Sequence, residues 1–267
     1  MASTGSSWGS GRPRGPMPAR QRNLVIIVVA AAIIALELGR HKITRFEVIY
    51  FLVLVPSIIL HEISHGVVAL AFGDDTAKRA GRLTLNPVRH VDPVGTLLVP
   101  AILSLSGLGA YGWAKPVPVS PNRLRHPRNE TVLVSLVGPL TNFALAAVLA
   151  VVLVLVTPSA VRAQLAQYGV IALFVPQAQP EGWSLLSQVL YIAGFANIVL
   201  GLFNCLPCPP LDGAAILERL IPARHLGDYY RLQPALMFLP FLLILLFHNQ
   251  WASLIDHAFN WWAGRLG

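Results

Sequence analysis

Charge is scarce in this sequence. Only 12% of its 267 residues are Asp, Glu, Lys or Arg, against about 25% in a typical soluble domain. That deficit cannot coat a soluble globule of this size, and it also excludes intrinsic disorder, which needs low hydrophobicity and high charge. Cysteine is nearly absent: two residues, Cys205 and Cys208, exclude a disulfide scaffold. Lysine is rare too. Lys42, Lys78 and Lys115 are the three lysines among 20 basic residues, a bias with no functional reading. What is abundant is apolar sequence, at 55%. The composition describes an all-α polytopic membrane protein. Its net charge of +8 then reports orientation in the bilayer and does not indicate a nucleic-acid partner.

Residues 1–23 are rich in Gly, Ser, Pro and Arg and read as a disordered basic tail. The apolar run Leu24–Leu38 ends in Glu37-Leu38-Gly39-Arg40, which offers no small-residue cleavage site, so an uncleaved first helix is expected. Further apolar stretches cover about 46–72, 94–110, 131–157, 184–206 and 235–255. A span needs about 20 apolar residues. The stretch 94–110 is short, follows Pro93 and contains Gly95, Pro100, Gly107 and Gly109, which suits a re-entrant segment buried by protein. The expected organisation is a tail (1–23), a membrane domain of five to six transmembrane helices (24–255, with its core at 46–220) and a C-terminal tail (256–267). Trp251, Trp261 and Trp262 fit an interfacial aromatic belt.

Counting Lys and Arg tests the topology. With a cytoplasmic N-terminus and a re-entrant 94–110, 15 of the 20 basic residues lie inside; if 94–110 spans, the tally becomes 10 against 10. The positive-inside rule therefore favours re-entry, five crossings and a multi-pass protein of the cell membrane. Arg40, Lys42 and Arg45 are discordant with it.

The chemistry is concentrated where charge should not be. His61-Glu62-Ile63-Ser64-His65 lies inside an apolar run, and titratable residues in a span are expensive and by default functional. On a helix His61 and His65 project from one face. They can ligate one zinc ion, with Glu62 beside them as general base toward a water. The plainer alternative is a histidine pair hydrogen-bonded to a neighbouring helix. A catalytic zinc takes a third protein ligand, and Asp212, in Asn204-Cys-Leu-Pro-Cys-Pro-Pro-Leu-Asp-Gly213, follows a stretch that would bring it to the same, cytoplasmic, face. Asp212 could instead cap the helix that begins at Ala214.

These elements resemble the site-2 proteases, intramembrane zinc metalloproteases, in their minimal bacterial form. HEISHG (61–66) matches the family's first motif, NCLPCPPLDG (204–213) its NxxPxxPLDG motif, and GPLTN (138–142) its Gly-x-x-x-Asn element. GRLTLNPVRHVDPVGT (81–96) and GWAKPVPV (112–119) also resemble loop text of the minimal members. The resemblance covers about 46–220. It implies His61, His65 and Asp212 as zinc ligands, Glu62 as catalytic base, and Asn142 as a group that stabilises the oxyanion or holds substrate. No PDZ-like insertion separates the spans.

Read from the residues alone, Asn142 is either a donor to a developing oxyanion or an interhelical hydrogen bond; Asn197 and Asn204 are assigned to packing and turn geometry. His90 and Asp92 are read as structural, Asp92-Pro93 as a turn. Cys205 and Cys208 stand where the family usually has apolar residues. They are small hydrophobes or a dithiol that displaces Asp212 on oxidation.

The expected reaction is hydrolysis of a peptide bond inside the membrane, in a transmembrane, regulatory protein substrate. The alternative is a membrane-embedded metal-binding or transport protein. A substrate helix must unwind before attack, and Pro116 and Pro118 suit an edge strand that could pair with it. Trp113, Lys115, Val117 and Val119 are thus candidate substrate-binding residues. Oligomeric state cannot be read from the sequence.

Overall fold

The computed structural model describes residues 24–25, 28–29, 44–92, 94, 98 and 114–267, without 238 and without the side chain of residue 241. Lys42–Val91 and Ala114–Gly267 form one compact unit; Met1–His41 and Asp92–Trp113 form another, of which few residues are described. Leu24, Val25, Val28 and Val29 are helical and exposed. The rest of the expected first helix, the re-entrant stretch 94–110 apart from Val94 and Leu98, and Trp113 lie outside the described residues.

Three helices among the described residues are long and apolar enough to cross a membrane: α1 (Arg45–Ala71), α2 (Pro127–Val156) and α4 (Leu185–Asn204). They realise the stretches expected at 46–72, 131–157 and 184–206. Thr44 starts α1 with a capping box, its hydroxyl accepting from the Glu47 N–H while the Glu47 carboxylate accepts from the Thr44 N–H; both terminal donors are thereby satisfied. Between α2 and α4 lies α3 (Ser159–Tyr168). After α4 come α5 (Ala214–Leu220), α6 (Leu226–Leu236), α7 (Leu239–Leu246) and α8 (His248–Ala263).

The three long helices pack on one another. Small residues make the close approach possible: Ala193, Ala196 and Gly201 of α4 are buried, and a Cβ on Gly201 would meet the Phe143 ring of α2 at 2.6 Å. The main apolar core includes Ile49, Leu153, Tyr191, Phe259 and Trp262.

Two expectations are corrected. The stretch 235–255 is not one continuous helix among the described residues. It forms α7 and α8, which meet at Phe247, whose backbone is non-helical, just before the polar triplet His248-Asn249-Gln250. Nor is there a strand among the described residues. Ala114–Ser120 runs extended but forms no ladder, because Pro116 and Pro118 have no N–H and several of its other groups are taken elsewhere. Lys115 N–H donates to His90 O, Val117 N–H to Glu62 and Ser120 N–H to Asp74, while the Lys115 and Pro116 carbonyls accept from the Arg82 guanidinium.

The C-terminal residues are packed. Phe259 and Leu266 have no exposed surface. Trp262 stacks on Phe259 and donates to Ala146 O at 2.8 Å, so it is a core residue and not part of an aromatic belt. Trp261 is exposed.

Candidate metal centre

His61 and His65 occupy successive turns of α1 and are both buried. Their Nε2 atoms stand 3.2 Å apart. Asp212 joins them from the turn between α4 and α5: its Oδ2 lies 3.0 Å from His61 Nε2 and its Oδ1 3.4 Å from His65 Nε2. One ligand atom from each residue falls within 4.8 Å of the others, the one such group among the described residues.

The turn that delivers Asp212 is tightly wound. Gly213 N–H donates to Asn204 O at 2.7 Å, and a Cβ on Gly213 would meet the Cys205 and Leu206 carbonyls at 2.4 Å. Glycine is needed for this close approach, since its φ of −59° is ordinary. The N-cap of α5 is Gly213 itself, without a side-chain bond. Asp212 is therefore turned to the histidines instead of capping the helix.

One stripe of α2 receives both imidazoles. Val134 O accepts from His65 Nδ1 at 2.6 Å, and Asn142 Oδ1 lies 2.6 Å from His61 Nδ1. Midway between them, a Cβ on Gly138 would sit 2.5 Å from the His65 ring and 2.6 Å from the His61 ring. The spacing 134, 138, 142 is one residue per helical turn, so carbonyl, gap and amide stack along one face.

These contacts decide whether a cation fits. A carbonyl can only accept, so His65 Nδ1 carries the proton and its Nε2 offers a lone pair. Asn142 Nδ2 donates to Asn197 Oδ1 at 2.9 Å, which leaves Asn142 Oδ1 as an acceptor and places the His61 proton on Nδ1 as well. Two imidazole lone pairs and a carboxylate thus converge with no hydrogen between them. Asp212 Oδ2, though close to His61, is buried without a hydrogen-bond donor. Such a set is repulsive when empty and complementary to a divalent cation, and two His with one carboxylate suit zinc.

Glu62 follows His61 on α1 and is half-buried. Its Oε2 accepts the Val117 N–H at 2.7 Å. Lys115 is exposed, whereas Val119 packs against the buried cluster of Ala69, Leu124 and Val134. Cys205 and Cys208 are free thiols, the first exposed and the second buried. Burial pushes both thiols up, and the Asp212 charge adds to this at Cys205. His90 is buried away from the centre with its Nε2 on Thr84 O, and the Val94 N–H donates to Asp92 as in a local turn. The sequence singled out Asn142 and Val117, but not that Asn142 would hold His61, that Asn197 would hold Asn142, or that Val117 would hold Glu62. Asn142 and Asn197 did give one signal, as amides inside apolar runs.

The pattern of Peptidase family M50 matches residues 49–247. The chain is 43% identical over 169 residues to YwhC of Bacillus subtilis, named as a zinc metalloprotease, covering 63% of this chain and 67% of that protein. Two mycobacterial proteins named as zinc metalloprotease Rip2 are also similar. That of Mycolicibacterium smegmatis is 31% identical over 61% of this chain, and that of Mycobacterium tuberculosis H37Rv 34% over 71%. The matches span 53% and 62% of those two proteins. No solved structure matches the chain. The chain belongs to peptidase family M50, the site-2 protease family of zinc metalloproteases.

Proposed function

We propose that this protein is an intramembrane-cleaving zinc endopeptidase, in which His61, His65 and Asp212 hold the metal and Glu62 is the catalytic base. The observation that carries this reading is that the histidine pair and Glu62 lie within α1, a helix long and apolar enough to span a bilayer, with Asp212 brought against them. A zinc ion held there supplies Lewis acidity, polarising the scissile carbonyl and lowering the pKa of water toward about 7. Glu62 takes the proton from the attacking water and returns it to the leaving amine. The Val117 N–H fixes one oxygen of its carboxylate, so the other is left for proton transfer. Burial of the histidines and the packing of α1, α2 and α4 exclude bulk water from the ligand set.

The substrate is a transmembrane protein, most simply a single-span regulatory one, and the protease is a multi-pass cell-membrane protein whose active site faces the cytoplasm. A substrate helix hides its carbonyls in i→i−4 bonds and must unwind first, so helix-weak residues near the cut site favour cleavage. The segment 114–119 stands beside Glu62 and holds its carboxylate through the Val117 N–H. The test is reconstitution with a transmembrane substrate. Cleavage by the wild type, abolished by a zinc chelator and restored by zinc, is expected; cleavage that survives complete removal of zinc overturns the reading.

A further inference from the structure

A chain of hydrogen bonds runs away from the metal cluster through the centre of the three-helix core. His61 Nδ1 meets Asn142 Oδ1 at 2.6 Å, Asn142 Nδ2 meets Asn197 Oδ1 at 2.9 Å, and Asn197 Nδ2 meets both Ser57 Oγ and Ala193 O at 2.9 Å. Ser57 Oγ meets Val53 O at 2.8 Å. Asn142 has no exposed surface and Asn197 and Ser57 almost none. The chain links α1 to α2, α2 to α4, and α4 back to α1.

Its polarity is fixed at the far end. Val53 O and Ala193 O are backbone carbonyls and can only accept. Ser57 therefore donates to Val53 O and accepts from Asn197. Asn197 must present its Nδ2 to Ala193 O and Ser57, which turns its Oδ1 toward Asn142. A flipped Asn197 amide would set oxygen against carbonyl at one end and nitrogen against nitrogen at the other, so the network itself assigns both amides. Asn142 must then present Nδ2 to Asn197 and Oδ1 to His61, and the proton of His61 can sit only on Nδ1.

We propose that Asn142 and Asn197, anchored by Ser57, are positioning residues that hold His61 in the tautomer whose Nε2 lone pair faces the metal. Ligating histidines commonly gain orientation and basicity by donating their other ring N–H to a fixed acceptor; here the acceptor is an amide whose own orientation is dictated two residues further on. Asn142 takes this role in place of the oxyanion donation expected from its sequence context, because its oxygen is held by His61, its nitrogen by Asn197, and no part of it is open to a substrate. Asn197 likewise has a task beyond helix packing, although it touches no ligand atom. The inference rests on the proposed metal set, but not on the identity of any substrate.

The experiment measures zinc affinity of the purified full-length protein by competition with a chromophoric chelator, together with the visible spectrum of the Co2+-substituted form. Asn142→Ala and Asn197→Ala are expected to weaken zinc by about 10–100-fold and to shift the Co2+ bands. Asn142→Asp, which keeps an acceptor for His61 and whose buried carboxyl, when protonated, can donate to Asn197 Oδ1, is expected to retain zinc more tightly than Asn142→Ala. This last variant and Asn197→Ala keep the test decisive if Asn142→Ala does not fold. Unchanged affinity and an unchanged Co2+ spectrum in Asn197→Ala, a fall in turnover alone in Asn142→Ala, or equal zinc loss in Asn142→Asp and Asn142→Ala would overturn the proposal. If the wild type binds zinc but cleaves no transmembrane substrate, the proposed activity fails while the relay stands or falls on the affinities. A wild type that binds no zinc overturns both.

Discussion

The backbone N–H of Val117 donates to Glu62 Oε2 at 2.7 Å across 55 positions of sequence. The contact fastens an extended segment to the residue proposed as catalytic base, and the segment is itself pinned on both sides. Arg82 holds it through the Lys115 and Pro116 carbonyls, at 2.6 and 3.2 Å. Asp74 holds it through the Ser120 N–H at 2.6 Å. The orientation of Glu62 thus depends on residues that never approach the metal cluster.

Arg82 is the first place to test this dependence. It is buried, and it also donates to Arg89 O. Removing it leaves three carbonyls without their donor, a loss of about 1–3 kcal/mol. Arg82→Ala should lower cleavage and make the segment at 114–120 more sensitive to added protease, with zinc affinity unchanged. Arg82→Lys should restore little, because an ammonium cannot fork between carbonyls as a guanidinium does. Zinc affinity and limited proteolysis, measured side by side, check both statements.

Asp74 gives the segment a pH dependence. Its carboxylate has no exposed surface. Burial alone would raise its pKa, but the Thr76 hydroxyl and N–H and the Ser120 N–H all donate to it, and together with the Arg123 charge they hold it below its usual value of 3.8. A carboxylate depressed in the folded state adds stability above its unfolded pKa, and that stability is lost as pH falls through the folded value. Thermal melting in detergent should therefore show the wild type losing stability on acidification below about pH 4. Asp74→Asn should be less stable at neutral pH and lose less over that window. Parallel melting curves for the two proteins would contradict the assignment.

Gly138 should be intolerant of a single methyl group. A Cβ there would lie 2.5 Å from His65 Cε1 and Nε2, so Gly138→Ala must push the imidazoles off the ligand geometry. Zinc affinity is expected to fall by at least about 10-fold, as for lost orientation of a ligand. Gly201→Ala is the control. Its Cβ would meet the Phe143 ring, at 2.6 Å, so it should cost about 1–3 kcal/mol of stability by overpacking and leave zinc binding alone. Chelator competition on the two variants separates the cases.

The cluster of His61, His65 and Asp212 was legible in the sequence for a local reason. His61 and His65 share a helix face by spacing alone, and Asp212 follows an apolar run whose parity returns the chain to the same end. What was not legible depends on long-range packing. Asn142 is 81 positions from His61, and nothing in GPLTN states which end of its amide faces which partner; only the carbonyls at Val53 and Ala193 settle that. Similarly, the prolines of GWAKPVPV indicated an extended segment, yet not that its N–H groups would be spent on Glu62 and Asp74 instead of on a neighbouring strand. The apolar run at 235–255 gave no sign of the break at Phe247, because composition averages over His248-Asn249-Gln250.

The cysteines should prove inert. Reactive thiols sit in electropositive surroundings that lower their pKa, whereas both Cys205 and Cys208 are pushed up by burial. The Cys205→Ser/Cys208→Ser protein should cleave at the wild-type rate under reductant and oxidant alike. An oxidant-dependent loss in the wild type that the double variant lacks would instead establish a dithiol switch beside Asp212.

The most direct test of the central claim is where the bond is cut. A single-span substrate co-reconstituted with the zinc-loaded protein in proteoliposomes is digested, and the fragment masses locate the scissile bond. A cut within the apolar span, near helix-weak residues, is expected, with a loss of at least about 10²-fold in rate for Glu62→Gln while zinc stays bound. A cut confined to the soluble flank of the substrate, or one that Glu62→Gln makes at the wild-type rate, would contradict that claim.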